Sequence, residues 1–148
     1  MTPIYFDMDG TVADLYAVEN WLPKLRNEDP SPYAEAVPLV HMATLARLIN
    51  KIQDAGYTVG IISWLSKNST IPYDNAVTKA KKKWLQKHLP SVVWDEIIIA
   101  AHGTPKYDLA SAVGILFDDE EKNRTEWEKN GGKAYTPDMI FEVLRSLK

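Results

Sequence analysis

Apolar positions along this 148-residue chain follow two alternating rhythms. Short dense runs rich in β-branched and aromatic residues predict buried strands at 4–6, 57–62, 96–100 and 113–117, with a short edge strand at 133–135. Between them, apolar residues recur at helical spacing. The clearest case is 39–55, where Leu45, Leu48, Ile49 and Ile52 share a face before Gly56 ends the element. Further helices are predicted at 15–25 (Trp21, Leu22 and Leu25 on one side), 74–88, 106–111 and 120–129, and from Pro137 to the C-terminus. Three prolines, Pro30, Pro32 and Pro38, make 27–38 an irregular loop in this reading. Strands alternating with helices imply an α/β fold with a central parallel sheet covered on both faces.

Length and composition narrow the class. A chain of 148 residues suits one domain with a full-sized core, and 45% hydrophobic with 25% charged residues is ordinary for a soluble globular protein. No apolar run approaches the roughly 18 residues of a membrane span, and the N-terminal stretch is broken by Asp7 and Asp9, unlike a signal peptide. Zero cysteines exclude a disulfide framework, a thiolate metal site and a cysteine nucleophile, and fit a cytoplasmic protein. A net charge of −3 argues against nucleic-acid binding through the overall field.

Polar residues cluster where the predicted strands end. The first strand runs into Asp7-Met8-Asp9-Gly10-Thr11, and Gly10 marks the turn that stops it. Ser63 follows the apolar run 59–62, Lys106 lies in the loop after the third strand, and Asp118-Asp119 follows 114–117. In a parallel sheet the carboxyl ends of all strands share one edge, so these groups can converge. Each has a plain structural alternative: a DG turn, a helix cap, a solvated lysine, acids in a helix's first turn. Together they form an inventory suited to phosphoryl transfer: acids for a hard cation, a carboxylate nucleophile, a lysine and a hydroxyl. A cluster of four carboxylates with no cation is a poor structural device, because like charges repel.

The segment Ile4-Tyr5-Phe6-Asp7-Met8-Asp9-Gly10-Thr11-Val12-Ala13-Asp14 resembles the first motif of the haloacid dehalogenase superfamily, hhhDxDGTxxD, over its full length. Ile61-Ile62-Ser63 resembles the second motif, Lys106 the third, and Ile115-Leu116-Phe117-Asp118-Asp119 the fourth. The resemblance implies a three-layer Rossmann-like fold with strand order 5-4-1-2-3 and a magnesium-dependent phosphatase activity. Asp7 would be the nucleophile that becomes phosphorylated, and Asp9 the acid and then the base, with its backbone carbonyl on magnesium. Asp7, Asp9, Asp118 and Asp119 form the implied Mg2+ site, with the share of Asp118 and Asp119 left open. Ser63 and Lys106 complete the implied catalytic set and, with Thr11, are expected to contact substrate, with Lys67 a rival for the lysine role; Trp64, directly after Ser63, is a further candidate substrate contact.

Residues 15–38 leave room for a short helix and a loop, a minimal flap-like insertion over a nearly capless site. The expected substrate is a small phosphomonoester, a nucleotide among them. Tyr16, Trp21, Tyr33 and Trp64 are candidates for a wall against a base, with core packing the favoured reading for Trp21. Lys79, Lys81, Lys82, Lys83 and Lys87 read as a solvated helix face, with a nucleic-acid patch as the lesser alternative. A phosphatase of polynucleotide 3′ or 5′ ends is the competing activity, and a non-catalytic metal- and phosphate-binding protein the competing class. A signalling receiver domain also uses acids, a hydroxyl and a lysine, but its acid pair comes early and its acceptor later, the reverse of the order here. No membrane partner is expected.

Overall fold

The computed structural model describes residues 2–147. Five strands form one parallel sheet: β1 (Pro3–Phe6), β4 (Thr58–Trp64), β5 (Glu96–Ala100), β6 (Ile115–Phe117) and β7 (Lys133–Tyr135). Two further strands, β2 (Ala13–Asp14) and β3 (Val37–Pro38), pair antiparallel as a separate ribbon. The sheet order is β5-β4-β1-β6-β7. Counting only the strands of this sheet, that is third, second, first, fourth, fifth, the expected order read from its other edge. β1 lies between β4 and β6, with Phe6 opposite Ile61 on one side and Phe117 on the other.

Strand alternation sorts the core into two layers. Ile4, Phe6, Val59, Ile61, Ile115 and Phe117 face one side and pack with α3 (Met42–Asp54), α4 (Ile71–His88) and α7 (Ile140–Ser146). Tyr5, Ile62 and Leu116 face the other and pack with Trp127 of α6 (Glu121–Lys129). The short α5 (Lys106–Leu109) borders the same layer through Tyr107 and Leu109. Among the described residues, no helix is long and apolar enough to cross a membrane.

The main differences from the sequence reading lie in residues 15–38. In place of one helix over 15–25 there is a 3-10 turn at Leu15–Ala17 and then α1 (Trp21–Arg26), interrupted by extended Val18 and left-handed Asn20. The expected proline loop contains α2 (Ser31–Glu35) and β3. Pro32 is tolerated because it stands in the first turn, where its missing N–H costs no hydrogen bond. Asp29 accepts a hydrogen bond from Ser31 N (2.9 Å) at the start of that helix.

Other elements differ at their ends, and the changes in β4 and α4 bear on the site. β4 runs on through Ser63 and Trp64, so Ser63 lies inside the strand rather than after it. α4 begins at Ile71, capped by Thr70, because Pro72 also falls in a first turn.

Leu15, Tyr33, Tyr73 and Val77 form a small separate core under the 15–38 segment, joined by Trp21, Leu25 and Leu65. Hydrogen bonds tie that segment to α4 and to the loop between β4 and α4: Tyr33 Oη to Ser66 Oγ (2.7 Å), Tyr73 Oη to Asp29 O (3.1 Å), Trp84 Nε1 to Ala36 O (2.7 Å) and Thr70 to Glu28.

Candidate active site

The carboxyl ends of β1 and β6 lie side by side because those strands pair. Backbone bonds hold the following residues in line: Asp7 N donates to Phe117 O (2.9 Å), and Asp118 N to Tyr135 O (3.1 Å). After Asp7 the chain wraps tightly around the Met8 carbonyl, which accepts from the N–H groups of Thr11, Val12 and Ala13. Gly10 makes this wrap possible. Its φ is +81°, and a Cβ there would stand 2.4 Å from Asp119 Oδ2. The glycine therefore serves both the turn and the approach of the two acidic strand ends.

Asp7, Asp118 and Asp119 each offer an oxygen to a group whose members all lie within 4.8 Å of one another. Lys106 enters from the start of α5, donating to Asp7 Oδ1 (3.0 Å) and Asp118 Oδ2 (2.7 Å). Asp118 also accepts from Asn123 Nδ2 (3.1 Å) and the Glu120 amide (2.9 Å). Thr11 Oγ1 donates to Asp7 Oδ2 (3.1 Å). Of the two candidate lysines, Lys106 sits among the acids, while Lys67 is exposed at the cavity rim.

The electrostatics show a deficit of positive charge. Burial raises the Asp118 carboxyl above the ordinary range, as does Asp7, against the opposing pull of Lys106. Burial first, then Asp7 and Asp118, pushes Asp119 up to about 7. Burial alone would lower the Lys106 ammonium, but Asp7 and Asp118 more than reverse that and hold it firmly protonated. One lysine among three carboxylates leaves negative charge that a divalent cation would neutralise. Oxygen donors at this spacing fit a hard cation such as Mg2+.

Asp9 stands apart from this group. Its Oδ2 accepts from Lys81 Nζ (3.0 Å), and the same ammonium donates to Ser63 Oγ (2.6 Å) and Trp64 O (2.7 Å). Lys81 does not belong to a solvated face. Its side chain is 1% exposed, whereas Lys79, Lys82, Lys83 and Lys87 of the same helix are exposed. Lysine count could not separate it from its neighbours. The available signal was phase, since position 81 lies four residues after Val77 and three before Trp84, both buried on α4.

A cavity of about 280 Å³ opens over the acids. Asp7, Asp9, Asp118, Asp119, Lys106 and Asn123 form its floor; Asn123 had no motif to mark it. Leu15, Tyr16, Trp21, Leu22, Leu25 and Tyr33 form a largely apolar wall, joined by Leu65, and Trp64 and His102 also line the cavity. Trp21 meets Tyr16 edge-on, ring centroids 5.0 Å apart, and lines the cavity as well as packing on the small core. Trp64 is fixed by its indole bond to Thr104 O (2.8 Å) and by His102, 5.1 Å away between ring centroids. Burial, then Asp119 and Asp9, raises the Tyr16 phenol, so its ring is a neutral surface beside the acids. Thr11 and Ser63 are fully buried behind the floor and do not line this cavity.

A parallel sheet in this order, with acids at the carboxyl ends of its first and fourth strands, is the fold that the haloacid dehalogenase resemblance implies. Among solved structures the chain is similar to D,D-heptose 1,7-bisphosphate phosphatase from Burkholderia thailandensis. The TM-score is 0.59 at 12% identity, covering 98% of this chain and 97% of that one. It is also similar to the D,D-heptose 1,7-bisphosphate phosphatase from B. bronchiseptica, complexed with magnesium and phosphate. There the TM-score is 0.57 at 18% identity, covering 92% of this chain and 80% of the other. No family model and no curated protein matches the sequence.

Proposed function

We propose that the protein is a magnesium-dependent phosphohydrolase that cleaves phosphomonoesters through an aspartyl-phosphate on Asp7. The observation that carries this reading is the group Asp7, Asp118 and Asp119 around Lys106 at the cavity floor. Similarity of fold to phosphatases, one of them holding magnesium and phosphate, supports it.

Asp7, Asp118 and Asp119 would hold Mg2+, which when bound neutralises the acids and polarises the phosphoryl oxygens. Asp7 is oriented for attack by Thr11 on one oxygen and Lys106 on the other. As an Asp7 oxygen bonds to phosphorus, the bond to the leaving oxygen breaks, and Asp9 supplies that oxygen with a proton. Asp9 then takes a proton from the water that attacks the acyl phosphate, releasing phosphate and restoring the Asp7 carboxylate. Lys106 lies where it meets negative charge on both Asp7 and the incoming group.

Residues 15–38 act in this reading as a small cap. Tyr16, Trp21, Leu22 and Leu25 present a surface that stacks better than it hydrogen-bonds, favouring a nucleotide over a polyol phosphate. The test is phosphate release from a panel of nucleotides and sugar phosphates, with and without magnesium, for the wild type and Asp7→Asn. Magnesium-dependent turnover that Asp7→Asn abolishes is expected. Undiminished activity in Asp7→Asn rules the mechanism out.

A further inference from the structure

Burying a lysine is costly unless its charge is paired and its donors are used. Lys81 meets both conditions: Asp9 Oδ2, Ser63 Oγ and Trp64 O each take one bond from the three-donor ammonium. Its Nζ also lies 5.0 Å from the Tyr33 ring centroid. Lys81 is absent from the cavity lining, while Asp9 is on it, with its side chain 18% exposed. The lysine therefore has no route to a substrate except through the groups it holds.

Asp9 has two competing attractions. A cation among Asp7, Asp118 and Asp119 would draw in any nearby carboxylate free to swing toward it. A carboxylate bound to such a cation is a poor proton carrier. Lys81 opposes that movement from behind, through a bond anchored at two further points on β4. We propose that Lys81 is a positioning residue that keeps the Asp9 carboxylate apart from the cation-binding acids and aimed into the cavity for proton transfer to the leaving oxygen. The inference rests on the phosphatase reading, in which the bond from phosphorus to the leaving oxygen breaks as that oxygen receives the Asp9 proton.

The readout is dependence on the leaving group. An alkoxide needs the proton, whereas p-nitrophenolate leaves without one, and kcat/KM reports the chain of steps up to formation of the aspartyl-phosphate. Lys81→Met is expected to lose about 100-fold in kcat/KM on an alkyl phosphomonoester, the cost of a misplaced group. It should lose no more than about threefold on p-nitrophenyl phosphate, since proton transfer is what that substrate does without. Asp9→Asn should show the same selectivity. Because Lys81→Met leaves a carboxylate unpaired and can unfold, Asp9→Asn is also compared with Asp9→Asn/Lys81→Met, in which both charges are gone. Equal kcat/KM for these two supports action through Asp9.

A double variant tenfold or more below Asp9→Asn overturns the proposal, as does an equal loss on both substrates in Lys81→Met. Wild-type activity of Lys81→Met on the alkyl substrate also overturns it. If Asp9→Asn itself fails to discriminate the two leaving groups, the phosphatase mechanism falls and this proposal with it. Lys81→Met failing while Asp9→Asn discriminates removes only the inference.

Discussion

The floor and the wall of the cavity are built on different principles. Floor residues Asp7 and Asp118 directly follow strands and Lys106 opens α5; all three are buried and each is held by several hydrogen bonds. Wall residues Tyr16, Trp21, Leu22 and Leu25 come from a 3-10 turn and one short helix over a small core of their own. Tyr16 is 46% exposed and Leu22 38%. A floor of this kind suits chemistry, which needs groups preorganised to a fraction of an ångström. The wall suits selection, because apolar contact is non-directional and tolerates variation. Substitutions in the floor should act on the rate of the chemical step, and those in the wall on binding.

The largest effect is expected at Lys106. Lys106→Met leaves Asp7 and Asp118 with no ammonium between them and should lower kcat/KM by about 1,000-fold. Because the unpaired charges stay buried, the metal-free protein should also lose about 3 kcal/mol of stability, measured by urea unfolding. Retained turnover would mean that the floor is not the chemical centre.

Trp21→Ala should raise KM for a nucleotide by about tenfold, with kcat changed less than about twofold, as for loss of uniform binding. A change in kcat alone would erase the division of labour between floor and wall.

The smallest effect concerns metal and pH. Asp119, with a folded-state pKa of about 7 against an ordinary 3.8, keeps a proton that the unfolded chain has already released. Its contribution to stability is present below about pH 4 and is lost as pH rises toward 7. In EDTA, Tm should therefore fall by a few degrees between pH 5 and pH 8. Asp119→Asn should flatten that slope, and magnesium should raise Tm more at pH 8 than at pH 5. A slope unchanged by Asp119→Asn would place the charge deficit elsewhere.

Most of the sheet was legible along the chain, because buried parallel strands are dense apolar runs and strand periodicity is local. Glu96–Ala100 and Lys133–Tyr135 match their expected limits. The acids at strand ends were legible for the same reason: once the strands are known, parallel topology puts their carboxyl ends on one edge. Residues 15–38 were less so. Pro30 and Pro32 read locally as a loop, yet Pro32 stands in the first turn of a helix that packs on α4.

By itself, then, the amino-acid order determined the alternation of strand and helix, the turn at Gly10 and the set of acids that the sheet would collect. Tertiary structure alone decided how charge is divided within that set. Lys106 was drawn to Asp7 and Asp118, and Lys81, one of five lysines within nine positions, was turned inward to Asp9. The physical reason is that helix phase selects which side chains can face the interior. Only the neighbouring helices and strands determine whether an opposite charge is waiting there.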